Sequence, residues 1–287
     1  MTPARTHADR RIELTPDQLV WVDGFATPPS PKVRPFHALA SAIKLVLNKD
    51  DTRQVFEVVT ALSGASGRNL FRRFVATDYG RRVVAEPVEL ENILADFPRL
   101  RAMPAGSFGR AYVDFMDEAG FTPQGLLAAA EEASVDMKDY PEIAQFRRAF
   151  THLEVSHDLW HVLTGYGRDP LGEVCNLAFT RRQTRNRGLR LIIFMGLAAM
   201  KLERWSVPVM KASRQAARMG EAADFVLGHD VEALLPLPLA EVRARLNIIE
   251  PTVYNAVPDG VKHRLLRPKM AQTQSERERA KAAPQPA

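Results

Sequence analysis

Two histidines and two carboxylates stand close enough along this 287-residue chain to form a metal site: His157, Asp158, His161 and Glu173. Phe146, Phe150, Leu153, His157, His161 and Thr164 follow one another in steps of three and four, which keeps them on one face of a helix. The spacing predicts a long helix starting near Pro141, with this stripe facing inward. A buried imidazole without a partner is unfavourable, and two of them one turn apart can share a metal ion. Asp158 lies about 100° around the helix from His157, so it could reach the ion from the side or orient a histidine from behind it. Gly165 and Gly167 end the helix. Asp169-Pro170 then reads as the cap and first position of the next one, with Glu173 in its first turn. Two helices joined by a short loop can face each other, which lets Glu173 close the site from the opposite wall. Imidazoles with one or two carboxylates suit zinc, iron or manganese. The order His-Asp-Leu-Trp-His lacks the glutamate that serves as base in zinc peptidases.

The elements that must position these residues are helices. Asp51 or Thr52 reads as a cap ahead of Val55, Phe56, Val59 and Leu62, and Leu70, Phe71, Phe74 and Val75 continue the same periodicity. Ser107 caps a helix bearing Phe108, Tyr112 and Phe115, and Gly120 stops it. That aromatic stripe reads as core or as the wall of a ring-binding pocket. Thr122-Pro123 marks another start, and residues 190–205, 208–227 and 239–246 read as three further helices. Trp205 ahead of Val207-Pro208 marks a break. The chain is expected to be all-α: one multi-helix domain of seven or more helices, with the metal site between two consecutive ones. Its boundaries are read as a loose N-terminal arm over 1–34 with one helical turn near 17–22, a folded domain over 35–266, and a disordered polar tail over 267–287.

Composition removes several classes of function. The single cysteine, Cys175, excludes an intramolecular disulfide, and its place about 200° around the helix from Glu173 makes it packing rather than a ligand. His152 falls off the inward stripe and is expected at the surface. The most apolar stretch, LRLIIFMGLAAM at 189–200, is shorter than the roughly 20 residues a bilayer requires. The N-terminus has no apolar segment of the secretory kind. The stretch 180–190 holds five arginines and no acid, which suits anionic lipid or acidic substrates, while no nucleic-acid motif accompanies it. SGASG at 63–67 lacks the spacing of a dinucleotide fingerprint, so no redox cofactor is expected from a motif.

The text HDLWHVLTGYGRDPLGEV, with SFGRAYVDFM, DDTRQVFEVVTALSG and FRRFVATDYGRRVVAE, resembles the coenzyme Q biosynthesis protein 4 family, in a bacterial member, over residues 36–250. The resemblance implies an all-helical fold and a divalent metal, zinc first, with iron(II) or manganese(II) as alternatives. Its ligands would be His157, Asp158, His161 and Glu173. It implies a role in ubiquinone biosynthesis as a metal-dependent lyase: C1 decarboxylation of a polyprenylated 4-hydroxybenzoate, with or without hydroxylation at that carbon. Asp158 or Glu173 would deliver the proton. Zinc has no redox chemistry, so the oxidative version would require iron or an oxidation performed elsewhere. The implied partners are the polyprenylated hydroxybenzoate or another prenyl lipid, other ubiquinone-biosynthesis proteins and, through exposed apolar helix faces, a second copy of the chain. The expected place is cytoplasmic, peripheral to the inner face of the cytoplasmic membrane, without nucleic acid. The alternative reading is a non-catalytic scaffold that binds polyprenyl lipid and organises the enzymes of the pathway.

Overall fold

The computed structural model describes residues 14–47, 53–86, 89–122, 125 and 140–266. Among them the chain is mostly helical, as the periodicity predicts, with fifteen α-helices. The first seven are α1 (Pro35–Leu47), α2 (Arg53–Ser63), α3 (Ser66–Val75), α4 (Asp78–Ala85), α5 (Leu90–Ala95), α6 (Phe97–Arg101) and α7 (Phe108–Glu118). There follow α8 (Ala144–Thr164), α9 (Pro170–Thr184), α10 (Gly188–Glu203) and α11 (Val209–Ala222). Four short helices close the chain: α12 (Val231–Leu234), α13 (Leu239–Arg245), α14 (Thr252–Asn255) and α15 (Asp259–Lys262). The expected cap at Asp51 or Thr52, Pro123 and the tail over 267–287 lie outside the described residues; Thr122 is among the described ones, and its hydroxyl accepts from the Gly125 N–H at 3.1 Å, as the expected cap would.

The expectation of a loose N-terminal arm is corrected over its described part. After a 3-10 turn at Pro16–Gln18, strands β1 (Val20–Val22) and β2 (Phe25–Thr27) pair antiparallel, with Trp21 opposite Ala26. Asp23 and Gly24 both take positive φ, 48° and 88°, the mirror-image turn whose twist matches a hairpin. Val22 and Ala26 join the main core, and Phe25 meets Phe71 edge-on. The hairpin therefore holds its shape by packing on the helices, since two three-residue strands are too few to stand alone.

At 21 residues, α8 is roughly 31 Å long and forms the axis of the molecule. It touches α3, α4, α5, α7, α9, α13 and β2, so buried residues occur all round its second half. This corrects the single inward stripe. Phe150, Leu153 and His157 are half-buried, whereas His152, Ser156, Leu159, Trp160 and Leu163 are buried on the neighbouring side. His152 is thus the opposite of the surface residue expected. It is 2% exposed, with Phe74 and Tyr79 each 5.5 Å from its ring. A helix covered from several sides has no one apolar face, and periodicity cannot rank its positions.

A second, smaller cluster of Ala42, Val58, Leu189 and Ile192 joins α1, α2 and α10. The helix expected over 190–205 is α10, and the break after Trp205 is present. The helix expected over 208–227 ends earlier, at Ala222; Val226 then donates its N–H to the Gln183 side chain instead of continuing the helix. No helix among the described residues is long and apolar enough to cross a membrane.

Candidate metal centre

The loop from α8 to α9 is determined locally. Gly165 ends α8 in the left-handed conformation at φ 77°, where its N–H reaches the His161 carbonyl. Asp169 caps α9 by accepting from the N–H groups of Leu171 and Gly172, both at 3.1 Å, and Pro170 occupies the first helical position. A side chain at Gly172 would stand 2.0 Å from the Gly167 carbonyl oxygen, so only glycine lets the helix start this close to the loop. The Tyr254 hydroxyl, on α14, donates to the free oxygen of Asp169 and receives the Gly167 N–H at 3.0 Å. These contacts place the next residue, Glu173, facing back across the loop.

His157, His161 and Glu173 converge there. The two Nε2 atoms are 3.2 Å apart, and Glu173 Oε2 lies 3.6 Å from His157 Nε2 and 3.4 Å from His161 Nε2. An ion bound tetrahedrally at ~2.05 Å separates its ligand atoms by about 3.4 Å, which is the spacing of these three donors. His161 Nδ1 is 2.9 Å from the Tyr166 carbonyl oxygen. A carbonyl oxygen can only accept, so Nδ1 carries the proton and Nε2 presents its lone pair to the cluster. Phe115 stacks on the His161 ring at 5.6 Å and fixes its plane. The three donors and their backing fit a divalent cation of the zinc, iron or manganese type.

Asp158, the fourth residue expected here, is not brought to the cluster. Its Oδ1 accepts from Arg168 Nη2 at 3.1 Å. Arg168 also donates to the Phe115 carbonyl at 2.8 Å and lies 3.8 Å above the Phe115 ring. Asp158 is thus engaged by Arg168 outside the cluster, and its charge adds only after that of Glu173 to the raising of the His157 ring. Sequence reasoning missed Arg168 and Tyr254. The first could have been suspected as a cation in the loop beside two carboxylates. The second is 85 residues from the aspartate it holds, and no local pattern announces that contact. Of the aromatic stripe, Phe108 and Tyr112 are core, as the first reading has it, while Phe115 stacks on His161. Cys175 is buried and free, and burial pushes its thiol far up, as a packing residue requires.

The electrostatics follow from the contacts. Burial alone would lower the His157 ring; the Glu173 contact and charge outweigh it and raise the ring. Burial alone would raise Glu173, and the two histidines outweigh it, lowering the carboxyl to about 2. The side chains of His157 and Glu173 are 39% and 40% open to solvent, so the cluster can be reached from outside. One turn earlier on α8, burial raises the Glu154 carboxyl to about 7.

The family model described as coenzyme Q (ubiquinone) biosynthesis protein Coq4 matches residues 27–252, which include all of these site residues except Tyr254. The ubiquinone biosynthesis protein COQ4 homolog 1, mitochondrial, of Culex quinquefasciatus is 29% identical over 182 residues, 62% of this chain and 61% of that protein. The mitochondrial COQ4 homolog of Danio rerio is 29% identical over 177 residues, 61% of each chain. The matched region thus spans about three fifths of these curated relatives. A crystal structure of a candidate ubiquinone biosynthesis protein from Nostoc punctiforme superimposes with TM-score 0.54 at 18% identity, covering 76% of this chain and 99% of that one. At that identity the likeness speaks for the fold alone.

Proposed function

This chain belongs to the Coq4 family of ubiquinone biosynthesis proteins, and from that premise we propose that it is a metal-dependent lyase removing the C1 carboxylate of a polyprenylated 4-hydroxybenzoate. The observation that carries the reading is the convergence of three donors from His157, His161 and Glu173, two of them partly open to solvent. When bound, a divalent ion would act there as a Lewis acid toward the negative charge of the substrate. Zinc is the first candidate, with iron(II) or manganese(II) as alternatives.

The chain's own groups have separable tasks. His161, held by Tyr166 and Phe115, presents one donor; His157 and Glu173 supply the others. The Arg168 guanidinium, fixed between Asp158 and Phe115, is a cation placed to orient an anionic ring substituent. In the non-oxidative reaction the C1–carboxyl bond breaks and carbon dioxide leaves. The electron pair left on C1 must then take a proton. Glu173, lowered to about 2, is ionised at neutral pH and has no proton to give, and Asp158 is engaged by Arg168. Glu154, raised to about 7 and within about 60° of His157 around α8, is the better proton carrier.

The test is turnover of a prenylated hydroxybenzoate by metal-stripped protein reloaded with zinc, iron(II) or manganese(II), under air and under nitrogen. Loss of the carboxylate by reloaded wild type, and not by His161→Ala, is the expected result. Equal turnover by metal-free protein would overturn it. Equal turnover by the zinc form under nitrogen would exclude an oxidative role for this chain.

A second reading, a polyprenyl-lipid scaffold lying on a membrane, is favoured by one observation. Phe36 on α1, Phe194 and Leu202 on α10, and Trp205 just after it are all largely exposed, and α1 packs against α10. Such a surface suits contact with the cytoplasmic leaflet, with a prenyl tail, with another ubiquinone-biosynthesis protein or with a second copy of this chain. His161→Ala separates the two readings, since a scaffold would keep lipid binding and its role in the pathway.

A further inference from the structure

The far end of α9 carries a feature that the metal centre does not use. Arg181 and Arg182 stand roughly 12 Å along the helix from Glu173, at 1.5 Å per residue. With Arg73 from α3, Arg185 and Arg187 from the turn into α10, and Arg190 from α10 itself, they line a cavity of about 460 Å³. Its lining includes one acid, Glu221 on α11, whose carboxylate is 3.8 Å from Arg182 and mostly exposed. The carbonyl ends of α9 and α11 each supply about half a negative charge and the amide end of α10 about half a positive one. Six guanidinium groups against these offsets leave an excess of roughly four positive charges.

Apart from the contact of Arg182 with Glu221, the arginines of the cavity crowd one another. Burial lowers Arg73, and the charge of Arg185 lowers it further; burial lowers Arg181, and Arg182 and Arg190 add to the effect. The walls are nonetheless fixed. Gln183 is buried beneath the cavity, donating to the Gly220 carbonyl at 2.9 Å and accepting from the Val226 N–H at 3.0 Å. Arg73 donates to the Gln183 carbonyl at 2.7 Å, with its guanidinium 4.0 Å above the Phe225 ring. Arg185 ends α9 in the left-handed conformation, and Asn186 accepts from the Gly188 N–H at 2.7 Å. Like charges gathered on such a frame make a partly preorganised anion site, because the cost of bringing their backbones together is met in folding rather than in binding. A concave cavity of this size suits a small ligand rather than the face of a nucleic acid.

We propose that this cavity binds the phosphate or diphosphate group of a small anion or of a lipid headgroup. The site is independent of the metal centre, so His161→Ala should leave it intact. The test measures binding of inorganic diphosphate by the full chain, at ionic strength held constant with sodium chloride. In parallel it measures co-sedimentation with phosphatidylcholine vesicles with and without phosphatidic acid. The comparison is wild type against Arg182→Gln/Arg190→Gln and against Arg187→Gln, which removes one exposed charge. Diphosphate binding weakened roughly tenfold or more in the double variant assigns the site to soluble phosphate compounds. Binding only to vesicles containing phosphatidic acid, lost in the double variant, assigns it to a headgroup. Without ligand, both variants should be at least as thermally stable as wild type at low salt, since they relieve repulsion. Diphosphate and vesicle binding unchanged in the variants, or no wild-type preference for either phosphate source over chloride, would overturn the proposal.

Discussion

The three donors differ in how firmly they are held. His161 is buried, with its ring stacked on Phe115 and held at Nδ1, whereas His157 and Glu173 are partly open to solvent. Asp158 lies outside the triad, so Asp158→Asn should keep the metal stoichiometry while weakening affinity by about 10–100-fold. A chelator titration followed by metal analysis measures this; loss of all metal would make Asp158 a ligand. Glu154 gives a prediction with a sign. Its carboxyl is raised from 4.5 to about 7 by burial, so between those values the folded chain holds a proton that the unfolded chain releases. Stability from this residue is therefore complete below about pH 4.5, falls as pH rises toward 7, and is lost above it. Glu154→Gln should stabilise the protein at pH 8 by roughly 1–3 kcal/mol and change little at pH 4.5, as read from urea unfolding at both values. An equal effect at the two would show that Glu154 is not desolvated.

The α8–loop–α9 unit was the part of the site most legible in the sequence. Gly165, Asp169, Pro170 and Glu173 are a stop, a cap, a start and a first-turn acid, and each acts through neighbours in the chain. What stayed hidden depends on residues far away. Tyr254 reaches Asp169 from α14, and α3 and α4 bury His152, which periodicity placed at the surface. The hairpin was local and could have been read from Asp23-Gly24, yet its three-residue strands give alternation too few positions to register. Two predictions belong to this scale. Asp169→Ala removes a cap and leaves Tyr254 without its acceptor, so it should lower stability by about 1–2 kcal/mol and weaken metal binding with it. Retained metal affinity in a destabilised variant would detach the cap from the site. His152 is pushed down to about 3 by burial, so the unfolded chain takes up its proton first as pH falls. His152→Leu should therefore reduce the loss of stability between pH 6.5 and pH 4, followed by thermal melts.

At the scale of the molecule, helices enclose α8 on several sides, and α9 links two charged features at its opposite ends. The first turn of α9 carries the carboxylate that faces the histidines, and its last turn feeds the arginine cavity. The helical class follows from periodicity because most of these helices are long enough to show it. The partnership of α3, α9, α10 and α11 around the cavity does not, since it joins Arg73 to residues more than a hundred positions away. The central claim is that His157, His161 and Glu173 hold one divalent ion. It is tested most directly by counting metal per chain, by plasma mass spectrometry, after dialysis against zinc, iron(II) or manganese(II) and removal of excess. Wild type should retain about one ion, and His161→Ala and Glu173→Ala, with wild-type helical content, well under half of one. Equal metal in wild type and both variants, or none in wild type under any of the three ions, would contradict the account.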